Sequence, residues 1–96
     1  MSFSVVISSA VRQEMAAAYD WYHARNAKAA IAFKEEVLGA FELIGRVPER
    51  FPLWDGEVRR FVMKHYPYSV YFAIDGNAVQ ILAVGHHRLR PGYWAN

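Results

Sequence analysis

The chain contains no cysteine. That excludes a disulfide framework and thiolate metal ligation, and it suits a reducing compartment. No apolar run approaches the roughly 18 residues needed to span a bilayer. Met1-Ser2-Phe3-Ser4 has no basic stretch and no cleavage site, so no signal peptide is expected. These absences predict a cytoplasmic protein without a membrane partner. Acid is scarce in the second half. Residues 58–96 hold five Lys or Arg and a single acid, Asp75, a net of +4. Residues 1–57 hold six bases and eight acids, a net of −2. Such asymmetry hints at polyanion contact, although a solvated sheet edge produces the same pattern.

Chemical signatures are also missing. There is no HExxH, no glycine-rich phosphate loop, no acidic dyad and no serine in an elbow motif. His86 and His87 are adjacent, so on a strand they point to opposite sides and do not converge on one ion. No cofactor and no metal are expected.

What is present is a packed domain. Apolar residues make up 54% of the 96 positions and aromatics 16%, too many for a disordered chain. The length leaves room for one domain, residues 1–96.

The most informative stretch runs from Tyr66 to Trp94. Two alternating apolar runs flank Asp75-Gly76-Asn77, a strong hairpin signal. In the first run Tyr68, Val70, Phe72 and Ile74 share one face, and Ser69, Tyr71 and Ala73 the other. In the second, Val79, Ile81 and Ala83 alternate with Gln80, Leu82 and Val84. That run is apolar nearly throughout, which predicts a central strand covered on both faces. It delivers the chain into His86-His87-Arg88-Leu89-Arg90.

Upstream, Phe3–Ile7 reads as a strand. Ser8 or Ser9 caps a helix that runs to about Ala24, with Val11, Met15, Ala18, Tyr19 and Tyr22 on one face. Arg25-Asn26 breaks it. A second helix spans about Ala27–Gly45, with Ala30, Phe33, Val37, Ala40, Phe41 and Ile44 as its apolar stripe. Ile31 and Leu38 form a narrower stripe, expected to pack on the first helix or to face a partner. Pro48 and Pro52 bracket an irregular connection from Val47 to Gly56, where Phe51 and Trp54 are expected to close one end of the core. Glu57–Met63 is the next strand, with Arg59 and Arg60 on opposite faces. Lys64-His65-Tyr66-Pro67 turns into the hairpin. The fold class is therefore α+β: an αα-hairpin packed on a small, mainly antiparallel sheet, in the order β-α-α-β-β-β.

The ordered set of motifs resembles the toxins of ParE/RelE-type toxin–antitoxin modules, and more the ParE-like branch of plasmid stabilisation proteins. Its carriers are Ala18-x-x-Trp21-Tyr22, Ala32-Phe33-x-x-Glu36-Val37, Pro48-x-x-Phe51-Pro52, Arg59-Arg60 and Tyr66-Pro67-Tyr68-x-Val70-Tyr71. The most specific is the ending, Ile81-Leu82-Ala83-Val84-x-His86-x-Arg88-x-Arg90-Pro91-x-Tyr93-Trp94. The resemblance covers nearly the whole chain and implies the same fold. It implies a growth-inhibiting toxin neutralised by a cognate antitoxin. ParE-like members are associated with inhibition of DNA gyrase, and RelE-like members cleave messenger RNA on the ribosome. A non-toxic binding module with the same fold is the third reading.

Metal-independent RNA cleavage needs a base, cations for the phosphorane and an acid for the leaving oxygen. Arg60, His86, Arg88 and Tyr93 are the candidates for those roles. The shortage of lysine near the sheet, Lys64 alone, counts against a ribosomal nuclease. Arg59, Arg60, Lys64, His86, Arg88, Arg90, Tyr93 and Trp94 are the candidate target-binding set, and Ile31 and Leu38 the candidate antitoxin contacts. Each has a plainer role open to it. His86 can simply bond to backbone, Arg88 can pair with Glu57 or Asp55, and Tyr93 and Trp94 can pack back on the core.

Overall fold

The computed structural model describes residues 2–89 and 92–95. The elements are β1 (Ser4–Ile7), α1 (Ser9–His23), α2 (Ala27–Arg46), β2 (Leu53–Asp55), β3 (Val58–Val62), β4 (Tyr68–Asp75) and β5 (Ala78–His86), with 3₁₀ turns at Pro48–Arg50 and Tyr93–Ala95. The order matches the expectation, with one addition. The Val47–Gly56 connection contains a 3₁₀ turn and the short edge strand β2.

Capping chemistry sets the helix boundaries. Ser8 holds extended backbone and its side chain accepts from Val11 N–H at 3.2 Å. Asn26 accepts from the N–H groups of Lys28 and Ala29, at 3.0 and 3.2 Å. Each satisfies donors that a helix start leaves without a partner. Asn26 thus starts α2 from extended geometry; Ala24, in right-handed helical geometry, ends α1.

The sheet order is β1-β5-β4-β3-β2. β1 docks parallel to β5, from Ser4 opposite Ala78 to Ile7 opposite Ile81, and all other pairs are antiparallel. The β4–β5 connection is the two-residue loop Gly76-Asn77. Gly76 takes φ +61° while, among the described residues, no non-glycine residue has positive φ, so Asn77 does not, the sign pattern of a type II′ turn, which needs glycine first.

The core lies between the helices and one sheet face. All six residues of the expected α2 stripe are buried, against Val70 and Phe72 of β4 and Val79, Ile81 and Val84 of β5. Truncating a buried phenylalanine of this kind costs about 3–5 kcal/mol. Ile31 and Leu38 do not pack on α1. They stand 51% and 48% exposed, because the stripe at Ala30, Phe33 and Val37 takes the inward side of α2. Trp54 does not close the core either. It lies on the opposite sheet face, against Tyr71 at 4.9 Å, while Phe51 alone joins the core cluster, edge-on to Phe61 and Phe72.

One irregularity redirects β5. Tyr71 pairs with Ala83 and Phe72 with Ile81, so Leu82 is an extra, bulged residue. Regular alternation is lost there. Val79, Ile81, Val84 and His86 share the helix-covered face with Tyr68, Val70 and Phe72. Ala83 and Gly85 share the other face with Ser69 and Tyr71.

Candidate functional site

The candidate residues fall into separate neighbourhoods. At the end of β5, His86 opens into a cleft of about 680 Å³ between α1 and the Pro67-Tyr68 turn. Glu14, Trp21, Tyr22, Tyr68, Arg88 and Leu89 line it with His86. The His86 ring meets Tyr68 edge-on at 5.0 Å, and its Nδ1 accepts from Arg88 N–H at 2.9 Å. That bond makes Nε2 the protonated nitrogen of the neutral ring. Partial burial, then the charges of Arg88 and His87, hold its pKa below the ordinary 6.5. No ion pair joins Arg88 to Glu57 or Asp55.

Glu14 is an unexpected participant. β1 reaches only as far as Ile81, so β5 would be left with an unpaired edge beyond it. Glu14 reaches from α1 and accepts Val84 N–H at 3.0 Å, filling the place of a strand partner. Its other carboxylate oxygen accepts the Tyr93 hydroxyl proton. Burial, then this bond and the Glu14 charge, push the Tyr93 pKa well above that of a free tyrosine. The ring lies against Gly85, where a built Cβ would come within 2.7 Å of the Tyr93 oxygen.

Arg60 is on the opposite face. It pairs with Tyr71, and its Nε–H donates to Ser69 Oγ at 3.2 Å. Ser69 Oγ lies 2.8 Å from His87 Nε2. Trp94 stacks there on Tyr71 at 4.6 Å and near Trp54 at 5.6 Å. Arg59 turns toward the helix side and donates to the carbonyls of Phe51 and Glu49, at 2.7 and 3.3 Å. Lys64 and His65 form a third neighbourhood around Glu36, which accepts Lys64 N–H at 2.8 Å and His65 N–H at 3.2 Å and faces His65 Nδ1 at 2.7 Å. Arg90 lies outside the described residues. Among those described, no group of three His, Asp or Glu is placed to hold a metal, and no helix is long and apolar enough to cross a membrane.

This architecture can be compared with known proteins. The family model described as "ParE toxin of type II toxin-antitoxin system, parDE" matches residues 5–91. The chain belongs to the ParE toxin family. A solved structure described as "Chromosomal ParDE TA system from P. aeruginosa" superposes with a TM-score of 0.78 at 19% identity, covering 88% of this chain and 96% of that one. At that identity the likeness establishes the fold. No curated protein matches.

For a ParE-type toxin, this geometry brings together few of the residues singled out from sequence. His86 and Arg88 share a cleft, Arg60 and Trp94 share the open face, and Tyr93 bridges the β5 edge to Glu14. Three residues that hold these groups were not singled out. Ser69 occupies an unspecified position between Tyr68 and Val70. Glu14 falls off the apolar face of α1. Glu36 stands in a family motif, but its partners are 28 and 29 residues away. Only the pairing of distant segments reveals them.

Proposed function

We propose that this ParE-type toxin arrests growth in the cytoplasm by binding DNA gyrase, without catalysis of its own, and that a cognate antitoxin neutralises it. The observation that carries this reading is the separation of the groups a nuclease would need. Arg60 sits on the open sheet face while His86 and Arg88 sit in the cleft on the helix side. Tyr93 donates its proton to Glu14, and its raised pKa makes it a poor acid for a leaving oxygen. His86 spends Nδ1 on backbone. Side chains tied down in this way favour binding over proton transfer.

The exposed Ile31 and Leu38 are the antitoxin contacts in this reading, since exposed apolar pairs on a helix suit a partner chain.

Controlled expression in a bacterial host tests it, with a DNA-damage reporter and messenger 5′ ends followed together. Growth arrest with DNA damage and intact messenger is the expected result. Messenger cut within codons, without DNA damage, would replace it with the nuclease reading. Growth unaffected at a verified protein level would point to a non-toxic binding module.

A further inference from the structure

The open sheet face holds a polar arrangement that the fold does not require. Faces of antiparallel sheets turned away from the core are commonly solvated, yet here Ser69 has no exposed surface at all and is the one buried polar residue among those described. It is covered from both sides. Arg60 crosses it from β3 and His87 from the end of β5. Ser69 Oγ accepts from Arg60 Nε–H, so its own proton is free to go to His87 Nε2. The result is a chain of three groups, Arg60 to Ser69 to His87, built on three consecutive segments of the sheet.

This chain fixes the guanidinium while leaving its business end free. Arg60 spends only Nε. Among the described residues neither Nη group meets a protein acceptor, and Asp55, which pairs with Val58 two residues away, makes no ion pair with it. Two parallel Nη–H groups in a held plane match the two oxygens of a carboxylate. Arg60 and Val62 share this face of β3, and Val62 is 54% exposed. On the other side lies the Trp54, Tyr71 and Trp94 cluster.

We infer that Arg60, Ser69 and His87 form a preorganised carboxylate-reading site on the open sheet face, through which the toxin grips an acidic segment of its protein target. Ser69 is the positioning residue. The inference rests on the protein-binding function proposed above and adds its chemistry: an aspartate or glutamate followed or preceded by an apolar side chain. The Arg60 guanidinium, with no carboxylate paired to it among the described residues, complements such a segment. A nucleic acid fits less well. Base stacking needs open aromatic faces, and here Tyr71 is buried while both tryptophans lie against it and each other. A row of lysines along the backbone path is also missing, since Lys64 lies in the β3–β4 turn, its N–H held by Glu36 of α2.

The test uses ¹⁵N-labelled toxin titrated with hexaglutamate, with inorganic phosphate and a short single-stranded RNA as separate probes. The expected result is a saturable shift of Arg60 Nε–H and of the Ser69 and His87 amides with hexaglutamate. Arg60→Gln weakens it about tenfold, and Ser69→Ala weakens it several-fold in a protein of unchanged spectrum elsewhere. Arg60→Lys does not restore it, because a point charge lacks the fork. Shifts centred on Lys64 or Arg88, or equal affinity in Arg60→Gln, would overturn the site. Tighter binding of RNA or phosphate than of hexaglutamate would overturn its assignment to carboxylates. A second arm measures binding of the same proteins to purified gyrase. Gyrase binding by the unmodified toxin that survives both substitutions sinks the role of this site in target capture. Failure of the unmodified toxin to bind gyrase sinks the gyrase reading and leaves the hexaglutamate result to decide the site.

Discussion

Glu36 offers the sharpest test of the fold's polar architecture. One carboxylate on α2 fastens the turn between β3 and β4. Its Oε2 takes the N–H groups of Lys64 and His65, and its Oε1 faces His65 Nδ1. Glu36→Ala removes all three contacts. Hydrogen bonds to a charged acceptor contribute about 1.5–3 kcal/mol each where water is excluded. Here the His65 side chain is 72% exposed, so the released N–H groups return to water. About 0.5 kcal/mol per bond survives that discount, and the better helix propensity of alanine offsets a few tenths. The net loss is therefore about 1–1.5 kcal/mol. For a chain of this size that lowers Tm by roughly 5–10 °C. Glu36→Gln keeps a neutral oxygen for the backbone donors and loses about half as much, since charged acceptors bind about twice as strongly as neutral ones.

The pH dependence separates this bond set from simple packing. Burial acts to raise the Glu36 pKa, but the bonds from His65 and Lys64 outweigh it and hold the group below the ordinary 4.5. A depressed carboxylate contributes stability that is fully present above its unfolded value and is lost as pH falls through the folded one. Urea unfolding at pH 7 should show the full gap between the native protein and Glu36→Ala. The gap should close only once the pH drops below 4.5. A gap that persists unchanged at lower pH would mean that side-chain packing, not the carboxylate, holds the turn. A double-mutant cycle with His65→Ala then separates the ring contact from the two backbone bonds.

Further outcomes follow from other contacts. Gly85→Ala should force the Tyr93 ring away from β5, breaking its bond to Glu14. The cost should be about 1–2 kcal/mol with a red shift in tryptophan fluorescence, and Tyr93→Ala should relieve most of it in the double mutant. Ile31→Glu with Leu38→Lys should change unfolding free energy by less than about 0.5 kcal/mol, since both side chains are exposed; loss of antitoxin binding in a pull-down checks their proposed role, and full binding would remove it. His86 should titrate below 6.5 by NMR, and Arg88→Gln should raise its pKa toward that value, because Arg88 is the largest charge acting on it. A downward or absent change would remove the Arg88 contribution.

Periodicity carried the helices well. The 3.6-residue spacing of Val11, Ala18, Ala30, Phe33, Val37 and Ile44 is a direct imprint of the buried interface, and it is a local property of the chain. The cap at Ser8 and the break at Arg25-Asn26 were legible for the same reason. The docking of β1 was not, because a parallel pairing between Ser4–Ile7 and Ala78–Ile81 leaves no mark in either segment. Nor were Glu14 and Glu36 as structural ligands. A carboxylate on a helix surface reads as a solvated charge until the partner segment, Val84 for one and Lys64-His65 for the other, is folded against it.

The largest gap between sequence and site comes from a single residue, Leu82. Strict alternation from Val79 would place Ala83, Gly85 and His87 toward the helices and His86 on the open face. The bulge at Leu82 shifts the phase by one, and the two histidines exchange sides. His86 therefore meets Tyr68 in the cleft, and His87 meets Ser69 beside Arg60. Deleting Leu82 makes a clean test. It would leave Ile81 opposite Phe72 and Ala83 opposite Tyr71 in continuous register, so both histidines should keep their neighbours. Only the Leu82 contacts and the local twist are lost, a cost of about 1–2 kcal/mol by analogy with removing partly buried apolar surface. Contacts from His86 to Tyr68 and from His87 to Ser69, read by NMR, should survive in the deletion protein. If the histidines instead change partners, or the chain fails to fold while Leu82→Ala folds normally, the extra residue is not the one that sets the phase of β5.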